Sequence, residues 1–288
     1  MRVSIIGTGR VAGVLAPALA SAGVPVVALA GRASARADAL AARTPGARAV
    51  NAQSAVDRAD LVLLAVPDDA IASVCAGLHW RAEVACVHLS GATELGALDA
   101  AAQAGAAVGG LHPLVAFAEA EAARAALAGA VWGVEAPSDN LRAALEGLVA
   151  RLGGTPLRIP PGGRALYHAG ANYAAAFLVA TLAEGARLWA HLGVDEGTAL
   201  AALLPLARGA LGGVARTGLV GSLPGPLARG DVGTIQRHVE ALQAEVPDAL
   251  PFYREVSRAA LKVARAQGLD AGRSAALSAA LRPADDVG

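Results

Sequence analysis

Aromatic and charged side chains are both scarce in this chain. Of its 288 residues, 3% are aromatic and 17% are charged, with 24 Lys and Arg against 24 Asp and Glu. A chain without a basic excess or a charged tail is not expected to bind nucleic acid or a membrane surface. Cysteine is almost absent: Cys75 and Cys86 lie in apolar surroundings and form no metal-spaced pair, which predicts reduced core thiols in a cytoplasmic protein.

Long uncharged apolar runs are also missing. The most apolar stretch follows His168 and is interrupted by Glu184 and Arg187. It is therefore short of the roughly 20 residues that cross a bilayer, and we predict a buried helix there. Met1 and Arg2 run directly into a strand-like segment, so we expect neither a targeting leader nor a membrane partner.

Short apolar runs alternate with alanine-rich segments through the first half of the chain. Most runs are continuous, which is typical of strands covered on both faces of a sheet. The predicted strands are at 3–6, 26–30, 48–50, 61–66, 84–89, 107–110, 131–134 and 157–159. Helix-like segments lie between them, for example at 10–22, 35–42 and 140–152. This order predicts an α/β fold with a doubly wound, largely parallel sheet.

The pattern changes after the Pro-Pro-Gly-Gly run at 160–163, the strongest breaker cluster in the chain. Beyond it we find no convincing strand and several long helix-like segments, at 165–192, 196–215, 234–244 and 249–267. We therefore predict a sheet domain at 1–160, an all-α domain at 161–282 and a frayed tail at 283–288.

A glycine-rich turn follows the first predicted strand. Residues 7–13 read GTGRVAG and fit G-x-G-x-x-A, in which Gly7 permits a tight turn and Gly9 lets the backbone approach a pyrophosphate. The helix N-terminus that follows offers unpaired N–H groups to phosphates. Its place between a strand and a helix favours a dinucleotide site over an incidental glycine corner. The predicted contacts are Gly7, Thr8, Gly9, Arg10 and Val11.

One residue of the first helix conflicts with its pattern. Pro17 falls inside the helical segment, where a proline costs about 3 kcal/mol or more. We therefore expect the first helix to be bent or shortened.

The end of the second predicted strand indicates which nucleotide is bound. NAD sites present an Asp or Glu about 20 residues beyond the glycines, where it holds the ribose 2′-hydroxyl. This chain has Arg32 and Ser34 there, with Arg36 and Arg10 as further candidates, and no acid before Asp38. Guanidinium forks match phosphate oxygens, and a hydroxyl can donate to them. The pattern favours a 2′-phosphate, and so NADP over NAD, with a solvated surface patch as the alternative.

The predicted strand at 61–66 ends in a proline and two acids. Ligands of open α/β sheets bind beyond the carboxyl ends of strands, so we expect Ala65, Val66 and Pro67 to border the nicotinamide ribose. Asp68 is interpreted as the N-cap of the next helix.

The segment at 3–12, the strand end at Gly31-Arg32 and the VPD sequence at 66–68 resemble the NADP-dependent oxidoreductases that include pyrroline-5-carboxylate reductase and ketopantoate reductase. Later segments narrow the resemblance: HLSGA at 88–92, GLHPL at 110–114, ALYHA at 165–169 and PGPLARGD at 224–231. Together they are similar to a bacterial family with a Rossmann-like domain followed by domain of unknown function 2520. The resemblance implies an NADP domain, a helical C-terminal domain like that of 6-phosphogluconate dehydrogenase relatives, and a homodimer through the helical domain.

The helix that opens the second predicted domain carries two candidate catalytic residues. His168 and Asn172 are four positions apart and so share one helix face. Relatives such as ketopantoate reductase place a Lys and an Asn at a similar spacing, which implies His168 as general acid and Asn172 as a hydrogen-bond donor to the substrate. A domain-interface role for His168 stays open. The chain departs from the family pattern at Ala176, where family members tend to carry an Asn.

Three more residues are candidate substrate contacts. His112 precedes a proline after an apolar strand, and Ser90 ends another strand. Arg229 has the charge and fork to hold a substrate carboxylate. The alternatives are a loop-anchoring bond for His112, a bare strand-end turn for Ser90 and an inter-helix salt bridge for Arg229. Asp231 is predicted to cap the helix that follows it.

Two functions of different classes remain open. The leading one is an NADPH-dependent reductase of a small carbonyl or imine compound, of the keto-acid or cyclic-imine type. The other is a non-catalytic NADP-binding protein with a regulatory or scaffolding role. The sequence has no G-x-S-x-G elbow and no cluster with metal-ligand spacing, so we expect neither a serine hydrolase nor a metal site.

Overall fold

The computed structural model of the chain describes residues 1–283. These residues divide into two compact units, one at 1–175 and one that begins at Ala176. Apart from residue 283, the predicted tail at 283–288 lies outside the described residues.

The first unit is built on one sheet of eight strands in the order β3-β2-β1-β4-β5-β6-β7-β8. Neighbouring strands are parallel except β6 and β7, which are antiparallel. The strands are β1 (Val3–Ile6), β2 (Val26–Ala30), β3 (Arg48–Ala49), β4 (Leu61–Leu64), β5 (Ala85–His88), β6 (Val108–Pro113), β7 (Val131–Glu135) and β8 (Thr155–Arg158). The predicted largely parallel sheet is thus confirmed, with small shifts at the strand ends.

Helices cover both faces of this sheet. They are α1 (Arg10–Ser21), α2 (Ser34–Ala42), α3 (Ala52–Arg58), α4 (Ile71–Ala76), α5 (Asp99–Gln103), α6 (Ala120–Leu127), α7 (Asp139–Arg151) and α8 (Arg164–Ala174). In β4, Leu61 and Leu63 belong to one buried cluster, whereas Val62 and Leu64 belong to the other. Because successive side chains point to opposite faces, a strand covered on both sides reads as a continuous apolar run.

Helix α1 continues through Pro17 to Ser21. Leu15, Ala16 and Leu19 are fully buried on both sides of the proline. Burying a leucine contributes about 1.5–3 kcal/mol, so this packing offsets the cost of a proline inside the helix. Of the two expected effects of Pro17, a bent or a shortened first helix, the shortening is therefore wrong.

The antiparallel pair β6–β7 sets glycines opposite polar residues. Gly110 pairs with Glu135, and His112 pairs with Gly133. The intervening Leu111 points the other way and belongs to the opposite core cluster. The two glycines leave room on their face of the sheet for side chains of α8.

The helix predicted at 165–192 is two helices in the structure. α8 ends at Ala174, and Ala175 has φ −119° and ψ −88°, outside the helical region. The two compact units divide at 175/176, within the segment predicted as one helix at 165–192. The physical reason is Arg164, the first residue of α8, which is fully buried and ion-paired with Glu135 of β7.

Every regular element of the second unit, as far as residue 283, is a helix. They are α9 (Ala176–Ala190), α10 (Glu196–Thr217), α11 (Pro226–Arg229), α12 (Val232–Glu245), α13 (Leu250–Ala266) and α14 (Ala271–Ala280). Ile235, Leu261 and Leu277 form part of its core. Asp231 accepts a hydrogen bond from the backbone N–H of Thr234 and caps α12, which confirms that prediction.

The prediction of a buried helix after His168 is wrong for the single chain. α9 has no buried residue, and Val179 is 65% exposed. In α10, Leu206 is 71% exposed. The described part of the chain leaves this apolar surface uncovered. By length and composition alone, α10 also qualifies as a membrane span, with 22 residues and a mean hydropathy of 1.4.

Candidate active site

A large cavity opens at the carboxyl ends of β1, β2 and β4. Its volume is about 1190 Å³. The predicted cofactor residues that line it are Gly7, Thr8, Gly9, Arg32, Ala65, Val66 and Pro67. This edge of a doubly wound sheet is where ligands of such folds bind.

The glycine turn has the shape that a phosphate-binding turn requires. Gly7 has φ +119°, and a Cβ atom there would lie 2.2 Å from the carbonyl oxygen of Ala65. Gly9 is the N-cap of α1 without a capping side chain, and a Cβ atom there would meet nothing within 4 Å. The first turn of α1 contains no acid. The positive end of this helix therefore faces open space beside the cavity and suits a diphosphate.

Two arginines line the same cavity. Arg32 and Arg36 are both exposed, and neither takes part in an ion pair within residues 1–283. Their guanidinium groups are therefore available to an anionic ligand. Ser34 begins α2, is exposed and is not among the lining residues, so its contact with a cofactor stays a prediction.

A second cavity of about 460 Å³ adjoins the first at the end of β4. The residues common to both are Gly9, Ala65, Val66 and Pro67. Arg10 and Val11, the remaining predicted cofactor residues, line this second cavity. Both cavities therefore border the glycine turn, the first at residues 7–9 and the second at residues 9–11.

Ser90 and Asp68 are joined by a hydrogen bond beyond the ends of β4 and β5. Ser90 Oγ donates to Asp68 Oδ2 at 2.7 Å and accepts from the backbone N–H of Thr93 at 3.0 Å. Asp68 makes no capping hydrogen bond to the turn or helix that follows, so its predicted N-cap role is wrong. Its carboxylate is engaged by Ser90 instead. The Ser90 hydroxyl anchors the loop after β5, and its contact with a substrate stays a prediction.

Two histidines converge on Gly91. A Cβ atom at Gly91 would lie 2.4 Å from His168 Cδ2 and 2.9 Å from His112 Cε1. The two imidazole rings are 5.7 Å apart between centroids, at an angle of 76°. Burial, followed by the nearby His168 and Arg164, lowers the pKa of His112 to about 4. His112 is therefore neutral at physiological pH. His112 on β6 and His168 on α8, which the sequence indicates separately, thus lie side by side in the structure.

Tyr167 joins this group. Its Oη lies 3.0 Å from His112 Nδ1, and the two rings meet edge to face with centroids 5.7 Å apart. Burial raises the pKa of Tyr167, so its phenol stays protonated near neutral pH.

A buried ion pair holds α8 against the sheet. Arg164 Nη1 lies 3.3 Å from Glu135 Oε2, and Nη2 donates to the carbonyl oxygen of Ser90. The backbone N–H of Arg164 donates to Glu94 Oε1 at 3.1 Å. Burial raises the pKa of Glu135 and lowers the pKa of Arg164, in each case against the effect of the partner charge. This pair ties the start of α8 to both β7 and the loop after β5.

Glycines in β6 and β7 make room for the α8 side chains. A Cβ atom at Gly110 would lie 2.4 Å from Arg164 Nη1, and one at Gly133 would lie 2.7 Å from Tyr167 Oη. Larger residues at these positions would displace α8. The close approach therefore places Tyr167 and His168 over this face of the sheet.

His88 is buried at the end of β5. Neither of its ring nitrogens has a hydrogen-bond partner within the described residues. Burial, followed by Arg164 and His112, lowers its pKa to about 3, so it is neutral. Within residues 1–283 no group of three or more His, Cys, Asp or Glu side chains is arranged to hold a metal ion. Cys75 and Cys86 are free and buried, as predicted.

The remaining predicted residues lie further along the chain. Asn172 is half-buried on α8, one turn after His168, and Ala176 begins α9 beyond the helix break. Arg229 is exposed at the end of α11 in the second unit, and its carbonyl oxygen accepts from Arg273. No ion pair in the described chain includes Arg229, so the salt-bridge alternative is not found. Its contact with a substrate stays a prediction.

Two protein-family models match the chain. Residues 2–87 match the NADP oxidoreductase, coenzyme F420-dependent family, and residues 130–260 match the domain of unknown function DUF2520. The chain carries an NADP oxidoreductase domain followed by a DUF2520 domain. The protein is therefore an NADP-dependent oxidoreductase, and the open glycine turn and the free arginines of its cavity fit this cofactor. The DUF2520 match begins within the sheet and continues into the helical unit.

Solved structures share the fold of this oxidoreductase. Protein TM1727 from Thermotoga maritima has a TM-score of 0.74 at 22% identity, over 92% of this chain and 99% of that chain. Imine reductase from Pseudomonas sp. has a TM-score of 0.60 at 20% identity, over 97% and 92%. 1-Pyrroline-5-carboxylate reductase from Streptococcus pyogenes has a TM-score of 0.62 at 18% identity, over 93% and 99%. A search of curated proteins finds no match.

Sequence reasoning missed three residues of the site. Tyr167 lies within the ALYHA segment but was not assigned a role, and Arg164 directly precedes that segment. Glu135 ends the apolar strand β7. A charged residue at the end of a buried strand was a usable signal, because buried carboxylates are paired. The partner of Glu135, Arg164, could not be predicted from the local sequence.

Proposed function

We propose that this oxidoreductase uses NADPH to reduce a C=O or C=N bond of a small organic substrate. The observation that carries the proposal is the convergence of His112 and His168 on Gly91, at the carboxyl end of the sheet that holds the glycine turn. Ligands of doubly wound sheets bind at this edge, so a cofactor on the turn and a substrate at the histidines share one rim.

The chain's own residues supply the cofactor site. Gly7 and Gly9 would let the backbone and the α1 N-terminus hold the diphosphate, and Arg32 would hold the 2′-phosphate. Val66 and Pro67, common to both cavities, would border the nicotinamide ribose. When bound, NADPH supplies a hydride to the electrophilic carbon.

His168 and Asn172 would complete the reduction. The hydride on carbon must be balanced by one proton on the oxygen or nitrogen, which gives an alcohol or an amine. His168, half-buried and directed at Gly91, would donate that proton and recover one from solvent. Asn172, on the same face of α8, would hydrogen-bond the substrate.

Two substrate types fit this chemistry. The names of the structural relatives, imine reductase and 1-pyrroline-5-carboxylate reductase, favour C=N bonds. The neutral His112 imidazole beside His168 favours a carbonyl group over a protonated imine, because the carbonyl oxygen accepts hydrogen bonds and an iminium nitrogen has no lone pair. A keto acid would add a carboxylate, and Arg229 and Ser90 stay candidate contacts for such a substrate.

NADPH oxidation over a panel of ketones, keto acids and cyclic imines tests the proposal. We expect turnover with at least one class, and a loss of about 100-fold or more in kcat for His168→Ala, because general acid catalysis contributes at least that much to the rate. His79→Ala is the matched control, because His79 is exposed in the same unit. NADPH binding without any turnover would reject the reductase and favour a non-catalytic NADP-binding role.

We also propose that the protein is a cytoplasmic homodimer joined through its helical unit. The uncovered apolar side chains of α9 and α10, among them Val179, Leu206 and Leu211, support an association surface. Light scattering should give twice the 28.4 kDa chain mass. Leu206→Glu should lower that mass, whereas Leu157→Glu, on the exposed strand β8, should not. A monomeric wild type would contradict the proposal.

A further inference from the structure

We infer that Tyr167 is a positioning residue that fixes His112 as a neutral imidazole with its proton on Nε2, presented to the oxygen of a carbonyl substrate. This inference rests on the proposed reductase and deepens it. It assigns Tyr167 a role that no motif indicated, and it chooses between the two substrate types.

The direction of the Tyr167–His112 hydrogen bond follows from the partner of the phenol. Tyr167 Oη lies 3.0 Å from His112 Nδ1, and this is the one hydrogen bond of the phenol found within residues 1–283. The phenolic proton therefore has His112 Nδ1 as its acceptor. A histidine that accepts at Nδ1 and is neutral carries its single proton on Nε2.

The Nε2 edge of His112 is the edge turned toward Gly91. A Cβ atom at Gly91 would lie 3.0 Å from His112 Nε2, beside His168. Nε2 has no hydrogen bond within the described residues and is not among their fully buried unpartnered atoms. This N–H thus lies against the backbone of Gly91, at an edge of the ring that is not fully buried.

The surroundings of His112 keep it uncharged. The groups that act on its ring are His168, Arg164 and Asp68, of which the first two oppose a positive charge and the carboxylate favours one. Together with burial, they lower the pKa of His112 to about 4, and burial raises the pKa of Tyr167. Neither member of the pair changes charge between pH 6 and pH 8 at these values.

A neutral N–H donor selects for a lone pair on the substrate. A carbonyl oxygen has lone pairs and gains negative charge as hydride arrives, so a fixed donor stabilises it increasingly through the reaction. A protonated imine presents its own N–H and has no lone pair to accept this bond. The pair therefore suits ketones or aldehydes over iminium ions.

The first arm of the test reads the tautomer without any substrate. Protein with ¹⁵N-labelled histidine is examined by long-range ¹H–¹⁵N correlation between pH 5.5 and 8, with His112→Gln used to assign the signal among the six histidines. We expect an unchanging Nε2–H pattern for His112 in the wild type and a mixture with the Nδ1–H form in Tyr167→Phe. An Nδ1–H pattern, or a charged ring at pH 6, in the wild type overturns the inference.

The second arm reads catalysis with carbonyl and cyclic-imine substrates. Tyr167→Phe should lower kcat for the carbonyl about 3- to 10-fold, the value of one neutral hydrogen bond, and change the turnover of a cyclic imine that is protonated at the assay pH less than twofold. Tyr253→Phe is a closely matched control, since Tyr253 Oη lies 2.8 Å from His238 Nδ1 in the helical unit. His112→Gln should retain more carbonyl activity than His112→Ala because an amide N–H replaces Nε2–H.

The two arms separate failure of this inference from failure of the reductase. Equal losses for carbonyl and imine substrates in Tyr167→Phe, or no loss for either, overturn the inference and leave the reductase standing. Turnover of imines alone overturns it in the same way. Absence of all turnover rejects the reductase, while the nuclear magnetic resonance arm still decides the tautomer of His112.

Discussion

A single methyl group at Gly91 should disable the site without unfolding the protein. In Gly91→Ala, the new Cβ atom would lie 2.4 Å from His168 Cδ2, whereas ordinary contacts begin at 3.4 Å. The imidazole of His168 must therefore move by about 1 Å, and His112 must give way by about half as much, from 2.9 Å. A misplacement of about 1 Å costs on the order of 100-fold in rate, or about 2.7 kcal/mol of barrier.

The assay compares kcat, NADPH affinity and thermal stability in Gly91→Ala and Gly96→Ala. A Cβ atom at Gly96 would meet nothing within 4 Å, so this control adds the same methyl group to the same connection between β5 and α5 without a clash. We expect kcat to fall about 100-fold only in Gly91→Ala, with NADPH affinity retained. Overpacking should destabilise that variant by about 1–3 kcal/mol, so the assay temperature must lie well below its unfolding midpoint. A Gly91→Ala enzyme with wild-type kcat would refute the placement of the reaction beside His168.

Further predictions concern the cofactor and the buried charges. NADPH should raise the melting temperature more than NADH, and Arg32→Asp should remove that difference; equal shifts in the wild type would count against a 2′-phosphate site. Arg164→Met should cost about 3–5 kcal/mol in urea unfolding by leaving Glu135 buried and unpaired, and adding Glu135→Gln should restore part of it. His88 and His112 have pKa values of about 3 and about 4 in the folded protein, against about 6.5 when unfolded. Unfolding therefore binds protons, and the free energy of unfolding should fall as the pH drops from about 6.5 to 4. A free energy of unfolding that does not change over this range would contradict the neutral state of the two rings.

Much of the sheet unit was predictable because its signals are local. The continuous apolar run of β4 indicates burial on both faces of the sheet. Gly7 is required because a Cβ atom at this position would lie 2.2 Å from the carbonyl oxygen of Ala65. Two expectations about helices failed for non-local reasons. Tertiary packing stabilises α1 on both sides of Pro17, so the helix continues to Ser21. No segment of the described chain covers the apolar surface of α9.

The site was only partly predictable because its members come from distant segments. The sequence indicates His112 and His168 by separate signals, and their meeting at Gly91 depends on how α8 packs. That packing rests on the Arg164–Glu135 pair and on the antiparallel register of β6 and β7, neither of which has a local sequence signature. For the same reason the sequence predicts a helix cap at Asp68, whereas in the structure the Asp68 carboxylate accepts a hydrogen bond from Ser90 Oγ.

Deuteride transfer tests the central claim most directly. NADPH deuterated at the transferable position is incubated with the protein and each carbonyl or cyclic-imine candidate, and the products are analysed by mass spectrometry. The account predicts one deuterium on the reduced carbon of a product, at a rate that collapses in Gly91→Ala and survives in Gly96→Ala. Tight NADPH binding with no deuterium in any product would contradict it.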